Sequence, residues 1–272
     1  MMMYDSFSSD YDRFVHWPGR LAFELPFLEQ FLSGLPQPVR VMDAAAGTGM
    51  HTLALAQRGY AAAGADLSTG MVARARENTA QAGLSVRFEA AGFGELAAAF
   101  GPHSFDALLC LGNSLPHLLT PQSLAAALAD FAAVLRPGGR LLIQNRNFDA
   151  VLARRERFME PQAHREGEAE WIFQRFYDYD PDGLITFNIL TLHRPTPDAP
   201  WQQAVTTTRL APQLESELSA ALRSAGFDHI RSFGSMDGSA FDPAASGNLI
   251  LSAVRAGAPH THNPPPDYRG AV

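Results

Sequence analysis

The sequence contains no lysine and only one cysteine, Cys110, among its 272 residues. A single cysteine excludes an internal disulfide and a cysteine-based zinc site. No apolar run approaches the roughly 18 residues that a membrane-spanning helix needs. The N-terminus lacks the basic and apolar regions of a signal peptide. These absences predict a cytoplasmic protein that has no membrane partner.

Positive charge is also scarce, because the net charge is −7 and the pI is near 5.7. The densest basic cluster is Arg154, Arg155 and Arg157. A nucleic-acid surface needs a basic face that neutralises phosphates. We therefore predict a small-molecule substrate and no nucleic-acid partner. The composition does not decide whether the protein forms a homo-oligomer. Hydrophobic residues make up 46% of the chain, which is enough for one domain with a sizeable core.

Short apolar segments alternate with helical patterns through the first 150 residues. Apart from Asp106, the segment 105–111 is a continuous apolar run, as expected of a central parallel strand that is covered on both faces. Five such segments separated by helices indicate a doubly wound parallel sheet. The predicted strands are 39–42, 61–65, 86–89, 105–111 and 140–145.

Beyond residue 150 the pattern becomes antiparallel. The alternating segments 171–179 and 184–193 flank Asp180–Gly183, a strong hairpin signal. A third strand at 203–210, a helix at 214–225 and strands at 227–233 and 248–254 follow. We predict an N-terminal arm and helix (1–38), a main domain (39–255) with an insertion at about 155–210, and a disordered tail (256–272). The aromatic arm either packs on the core or forms a lid over a ligand.

The segment 39–55 joins a strand, a small-residue turn and the start of a helix. Gly47 and Gly49 allow a sharp turn and a close approach of backbone amides to a ligand. Asp66, at the end of the second strand, can accept both hydroxyls of a ribose. Its alternative role is to cap the helix that starts near Ser68. Asp43 belongs to the same edge, or only accepts hydrogen bonds from the amides of Gly47 to Gly49.

Both NAD and S-adenosylmethionine suit such an edge. A dinucleotide site usually carries G-x-G-x-x-G, in which three glycines admit the pyrophosphate. The turn Ala44–Thr52 lacks the third glycine. Because S-adenosylmethionine has no phosphate, the residues favour it over NAD.

Several segments together resemble the class I S-adenosylmethionine-dependent methyltransferases. Within that class, two further segments resemble the glycine and glycine/sarcosine N-methyltransferases. The class-level segments are Asp43–Gly49, Asp66, Phe105–Asp106 and Leu135–Gly139, and the closer ones are Cys110–Leu118 and Asn145–Asp149. The resemblance implies a Rossmann-like doubly wound seven-stranded sheet with an antiparallel β insertion after strand five. It also implies S-adenosyl-L-methionine as the cofactor.

The resemblance assigns cofactor contacts to a set of residues along this edge. In the family, the match of Arg20 binds the methionyl carboxylate and the match of Met71 packs on the adenine. Ala91–Phe93 replaces the family's usual acidic or Asn-Trp adenine contact. The expected cofactor-binding residues are Arg20, Asp43, Ala45, Gly47, Gly49, Asp66, Leu67, Met71, Gly92, Phe93 and Leu111.

Four residues are expected to serve the methyl acceptor: Asn113, Arg146, Tyr11 and His117. In the family, the match of Asn113 contacts the substrate and the match of Arg146 binds its carboxylate, a task that suits the forked guanidinium. The alternatives are a His117 packed against Leu118 and an ion pair of Arg146 with Asp149.

The segment 145–149 departs from the family pattern, because Asn145 and Phe148 stand where the family has His and Tyr. These changes leave the acceptor pocket open. The predicted activity is methylation of a small carboxylate-bearing amine, similar to glycine or sarcosine N-methylation, without a metal. The alternatives are O- or C-methylation of another small molecule and a non-catalytic S-adenosylmethionine-binding protein.

Overall fold

A computed structural model describes residues 12–257 of the chain. Residues 1–11 of the predicted arm, which include Tyr11, and residues 258–272 of the predicted tail lie outside this range. The first half contains α1 (Trp17–Leu32), β1 (Arg40–Asp43), α2 (Met50–Gln57), β2 (Ala61–Asp66), α3 (Thr69–Gln81), β3 (Arg87–Ala90), α4 (Leu96–Phe100), β4 (Phe105–Cys110), a 3₁₀ turn (Leu115–His117), α5 (Pro121–Val134) and β5 (Leu135–Arg146). The second half contains α6 (Phe148–Arg154), β6 (Gln162–Glu166), β7 (Ala169–Tyr179), β8 (Ile185–Arg194), β9 (Gln202–Leu210), α7 (Glu215–Ser224), β10 (Phe227–Phe233) and β11 (Asn248–Arg255).

The main sheet has seven strands in the order β10-β11-β5-β4-β1-β2-β3. Strands β1 to β5 pair in parallel, whereas β11 runs antiparallel to both β5 and β10. The predicted Rossmann-like seven-stranded fold is therefore confirmed. The strand order reverses between β1 and β4, so the carboxyl ends of these strands form the crevice where open α/β sheets bind ligands.

The core lies on both faces of the central strands. Every residue of β4 is buried. Its consecutive residues Leu108 and Leu109 belong to two separate hydrophobic clusters. Helix α1 covers one face with Leu28 and Leu32, which are fully buried. This burial explains why the β4 segment, apart from Asp106, is a continuous apolar run rather than an alternating one.

Strand β5 begins earlier than the sequence predicts. The predicted fifth strand starts at residue 140. Instead, α5 ends at Val134 and β5 starts at Leu135. The buried carboxylate of Asp106 accounts for this extension, because it pairs with Arg136 at 3.0 Å and accepts the Arg40 amide at 2.7 Å.

The insertion forms a separate antiparallel sheet in the order β6-β7-β8-β9. Its central hairpin pairs Tyr179 with Ile185 across the predicted turn. Strand β6 and helix α6 are additional elements that the sequence did not reveal. The segment before α1 also packs on this sheet, because the rings of Phe14 and Phe173 meet edge to face at 5.4 Å. The exact domain limits stay predictions.

Across residues 12–257, none of the helices combines the length and the apolar character that crossing a membrane would require.

Gly49 is the glycine at which both backbone conformation and space are restricted. Its φ is +80°, and an added Cβ would lie 2.8 Å from Ala75 Cβ and 2.9 Å from Phe88 Cζ. Gly59 has a similar φ of +85° but open space around it. A substitution at Gly59 therefore reports backbone strain alone, whereas the same substitution at Gly49 reports strain together with crowding.

We expect Gly49→Ala to lower the free energy of unfolding by about 2–4 kcal/mol, because overpacking adds to the strain of a positive φ. Gly59→Ala, the matched control, is expected to cost about 1 kcal/mol. Urea denaturation of both variants measures the difference. Equal losses in the two variants would contradict this packing role.

Candidate functional site

The loop after β1 has the geometry of a close-approach turn. Gly47 and Gly49 have φ values of +54° and +80°, and Gly49 directly precedes α2. The Gly49 amide donates to the Ala46 carbonyl at 2.9 Å, which closes the turn. Ala45, at the middle of the turn, is partly exposed.

Asp66 ties this turn to the end of β2. Its Oδ2 accepts the Gly47 amide at 2.9 Å, and its Oδ1 accepts the Ser68 amide at 2.9 Å. The helix-capping alternative does not describe Asp66, because the Ser68 hydroxyl caps α3 by accepting the Met71 amide. A carboxylate oxygen has more than one lone pair, so Asp66 can still accept further hydrogen bonds from a ligand.

Asp43 lies beneath the turn. Its side chain is 2% exposed, and burial raises its pKa. One oxygen accepts the Thr52 hydroxyl at 3.2 Å, whereas the other is buried without a hydrogen-bond partner. The amides of Gly47 and Gly49 do not bind Asp43, because they donate to the Asp66 carboxylate and to the Ala46 carbonyl.

The remaining predicted cofactor residues lie along the ends of β2, β3 and β4. Leu67 is 57% exposed, whereas Met71 and Leu111 are buried. The Gly92 amide donates to the Glu95 carboxylate at 2.8 Å. Phe93 packs edge to face on Phe131, with 5.4 Å between ring centroids.

A buried polar network links α1, α2 and β5. Glu24 is 4% exposed and accepts hydrogen bonds from His51 at 2.6 Å and from Arg20 at 3.1 Å. The Gln144 amide nitrogen donates to its other oxygen at 3.0 Å. In turn, the Gln144 oxygen accepts Arg20 Nη2 and the Gly112 amide, both at 3.2 Å. Arg20, predicted to bind the cofactor carboxylate, is therefore held in one orientation.

The pKa of Glu24 reflects this network. Burial raises it, but the His51 hydrogen bond and the charge of Arg20 outweigh burial and lower the pKa from 4.5 to about 2. Glu24 is therefore ionised at neutral pH, and its negative charge helps to hold Arg20 in position.

A cavity of about 490 Å³ lies between the main sheet and the insertion. Of the residues predicted for the site, it brings together Arg20, Asn113, His117 and Arg146. The other predicted residues that the structure describes do not line this cavity.

Asn113 connects the loop after β4 to the end of β5. Its φ is +67°, a left-handed conformation that Asn tolerates better than most residues. Its side-chain oxygen accepts the Arg146 amide at 2.9 Å. Because a backbone amide can only donate, this bond fixes the side-chain orientation and leaves the NH₂ group as the end for a ligand.

Arg146 has a buried guanidinium Nε without a hydrogen-bond partner. The predicted alternative, an ion pair with Asp149, is absent from the described structure, where Asp149 accepts the Glu215 amide at 3.1 Å. A guanidinium that has an unsatisfied N–H donor at the wall of a cavity can bind an anion.

His117 lies in the 3₁₀ turn that follows β4. Burial lowers its pKa from 6.5 to about 4. The ring is therefore neutral at pH 7 and adds no positive charge to the cavity.

The two departures from the family pattern have different consequences. Phe148 is fully buried and packs with Val151 and Tyr177. Asn145 lines the cavity and donates to Gln213 at 2.9 Å, and Gln213 donates to the Leu115 carbonyl. Asn145 therefore supplies a hydrogen-bonded polar side chain to the cavity wall at the position where the family has histidine.

The sequence reasoning missed several residues. Glu24 was detectable as the i+4 partner of Arg20 on one helix face. Arg175 and Tyr177 line the cavity from β7, and their spacing of two already places them on one face of a strand. Asp12 accepts the Thr48 hydroxyl at 2.6 Å and the Trp17 indole N–H at 2.9 Å, and no motif marked it.

We expect Glu24→Gln to destabilise the protein by about 3 kcal/mol at pH 7, because the lowered pKa of Glu24 reports a favoured charged state. The folded pKa lies below the unfolded value, so this stability is present above pH 4.5 and is lost as pH falls toward 2. Urea denaturation of both proteins between pH 7 and pH 2.5 tests this. A pH-independent difference between them would contradict it.

Comparison with known proteins matches residues 41–139 to the model of a methyltransferase domain. The glycine/sarcosine N-methyltransferase of Halorhodospira halochloris is 34% identical over 148 residues, which are 54% of this chain and 54% of that protein. The enzyme of the same name from Aphanothece halophytica is 32% identical over 150 residues, covering 54% and 55%. The chain thus spans about half the length of the curated relatives it matches.

Two solved structures share the whole fold. The CcbJ methyltransferase of Streptomyces caelestis superposes with a TM-score of 0.74 at 20% identity, covering 94% of this chain and 98% of that one. A S-adenosylmethionine-dependent methyltransferase from Clostridium acetobutylicum ATCC 824 gives 0.73 at 16%, covering 94% and 100%. The predicted resemblance is confirmed: residues 41–139 match the model of a methyltransferase domain, within a chain that has the fold of the S-adenosylmethionine-dependent methyltransferases.

Proposed function

We propose that this chain transfers the methyl group of S-adenosylmethionine to the nitrogen of a small carboxylate-bearing amine. The observation that carries the proposal is the buried Nε–H of Arg146, which has no hydrogen-bond partner, on the wall of the cavity that also contains Arg20. The likeness of half the chain to glycine/sarcosine N-methyltransferases supports the same acceptor class.

The residues at the carboxyl ends of β1 and β2 fit the cofactor. The positive-φ turn Gly47–Gly49 offers backbone at close approach, and Asp66 keeps lone pairs for ribose hydroxyls. Arg20, oriented by Glu24 and Gln144, is placed for the methionyl carboxylate. Bound there, S-adenosylmethionine supplies an electrophilic methyl group on a sulfonium that is already a good leaving group. The further contacts that we propose come from Asp43, Ala45, Leu67, Met71, Gly92, Phe93 and Leu111.

The acceptor residues divide into two roles. Arg146 and the NH₂ group of Asn113 donate hydrogen bonds to the carboxylate, which is the preferred geometry of a forked cation. Neutral His117 can accept a hydrogen bond from the amine N–H. Tyr11 stays in the proposed set as an amine-orienting residue, and it lies outside the described residues.

Catalysis then depends mainly on position and on the exclusion of water. Holding nucleophile and electrophile on one axis can supply roughly 7–11 kcal/mol of rate acceleration. The chain contributes by holding both Arg20 and Arg146 at the wall of one cavity. The amine must lose its proton before attack, because only its lone pair can form the new C–N bond.

The direct test is S-adenosylhomocysteine release from labelled S-adenosylmethionine with glycine, sarcosine and a panel of hydroxyl and carbon acceptors. Methylated amine as product supports the proposal. Turnover confined to hydroxyl or carbon acceptors would replace it with O- or C-methylation. Tight cofactor binding without any turnover would point to a non-catalytic binding protein.

Arg146→Lys is expected to lower kcat/KM for the amine by about 10- to 100-fold, mostly through KM, because lysine cannot donate the two parallel hydrogen bonds. Arg157→Lys is the matched control, since Arg157 is exposed and pairs with Asp178 at 2.7 Å. Steady-state kinetics of both variants measure the effect. Similar kinetics for the two variants would remove Arg146 from the acceptor site.

The pH dependence of kcat/KM distinguishes titration of the substrate amine from titration of His117. We expect kcat/KM to rise from pH 6 toward the pKa of the free amine, because the reactive fraction of unprotonated amine rises. His117 already stays neutral over this range, since its pKa is about 4. His117→Asn should therefore lower activity without moving the rise. A profile that is flat from pH 6 to 9.5 contradicts an amine nucleophile.

A further inference from the structure

We propose that the methyl acceptor carries a second anionic group, and that Arg175 of the insertion binds it while Arg146 binds the first. The inference rests on the proposed function and narrows its substrate class from a monocarboxylate to a dianion. Within that class the second group is a carboxylate or a phosphate, which share the same pairing with a guanidinium.

Arg175 lines the same cavity as Arg146 but belongs to the insertion sheet. It lies on β7, paired with Ile189 of β8, and both residues line the cavity. Its guanidinium carbon is 5.1 Å from the centre of the Phe14 ring. Its Nε is buried and has no hydrogen-bond partner, as in Arg146.

The other arginines of the insertion sheet provide a direct comparison. In β6 to β9, each of them pairs with a carboxylate, whereas Arg175 has no such partner among the described residues. The pairs are Arg165–Glu170 at 3.0 Å, Arg194–Glu170 at 2.6 Å and Arg209–Asp182 at 2.6 Å. The unpaired arginine of this sheet is thus the one that faces the cavity.

The charges around the cavity do not balance. Among its described lining residues, Glu24 is the one carboxylate, and it already serves Arg20, His51 and Gln144. Arg146 and Arg175 therefore leave two positive charges with unsatisfied N–H donors. Burial of such donors is costly unless a partner arrives, so the free energy favours a bound dianion.

The two arginines also influence each other and their neighbour. Burial lowers the pKa of Arg175, and the charge of Arg146 lowers it further. Burial raises the pKa of Tyr177, although the charges of Arg146 and Arg175 act in the other direction, so its hydroxyl stays protonated and can donate to an anion. A bound anion between the arginines removes their mutual repulsion.

A glycine-sized acceptor matches only one of the two guanidinium groups. Its single carboxylate occupies Arg146 and leaves Arg175 without a partner. An amino acid with a second carboxylate or a phosphate ester extends toward the insertion and satisfies both groups. The cavity volume of about 490 Å³ leaves room for this larger acceptor beside Arg20.

The test is calorimetric binding of glycine, L-aspartate and O-phospho-L-serine to the protein saturated with S-adenosylhomocysteine. We expect at least one of the two dianionic ligands to bind about 10-fold or more tightly than glycine. Arg175→Gln should weaken that ligand by about 10- to 100-fold and change glycine binding by less than about 3-fold. Arg165→Gln, an exposed arginine of the same sheet, is the control that should change neither.

Glycine binding as tight as either dianion, or an equal loss for all ligands in Arg175→Gln, would overturn the proposal. Arg175→Lys keeps the charge and serves if the glutamine variant does not fold. The ligand that binds more tightly identifies the second group as carboxylate or phosphate. S-adenosylhomocysteine release is measured in parallel. An absence of turnover would contradict the proposed methyltransferase activity, whereas equal binding of glycine and the dianions would contradict only the dianion proposal.

Discussion

The buried carboxylate of Glu24 is the constraint on which the site depends. It joins helix α1, through Arg20, to α2, through His51, and to β5, through Gln144. A single ionised group at 4% exposure is tolerated only because each oxygen is fully engaged. The same bonds aim Arg20 into the cavity, so the stability of the helix packing and the orientation of a binding group share one origin.

A second link fixes the opposite wall. Asn113 accepts the Arg146 amide and its own amide donates to the Gln144 carbonyl, so the loop after β4 follows the end of β5. Gln144 thus contacts both networks, one through its side chain and one through its backbone. The proposed cofactor and acceptor groups are therefore held relative to each other by one strand rather than by flexible loops.

The sequence predicted the sheet well because the central strands are buried on both faces and their apolar runs have no other explanation. It also located the turn at Gly47–Gly49 and the loop residues Asn113 and Arg146, since parallel strands place their carboxyl ends together. It missed β6. It also placed the start of β5 too late, because the Asp106–Arg136 pair at that end of the strand joins positions far apart in sequence. Arg175 was missed for a related reason: the absence of a carboxylate partner is visible only when all the neighbours are placed.

The segment just before α1 contacts both sheets. Asp12 accepts hydrogen bonds from Thr48 of the glycine turn and Arg74 of α3, while Arg13 pairs with Glu166 of the insertion at 2.8 Å. Phe14 lies against Phe173 and beneath Arg175. Displacing these three consecutive residues breaks contacts on both sides of the crevice at once. Access to the turn and access to the insertion side of the cavity are thereby mechanically coupled through a single short piece of backbone.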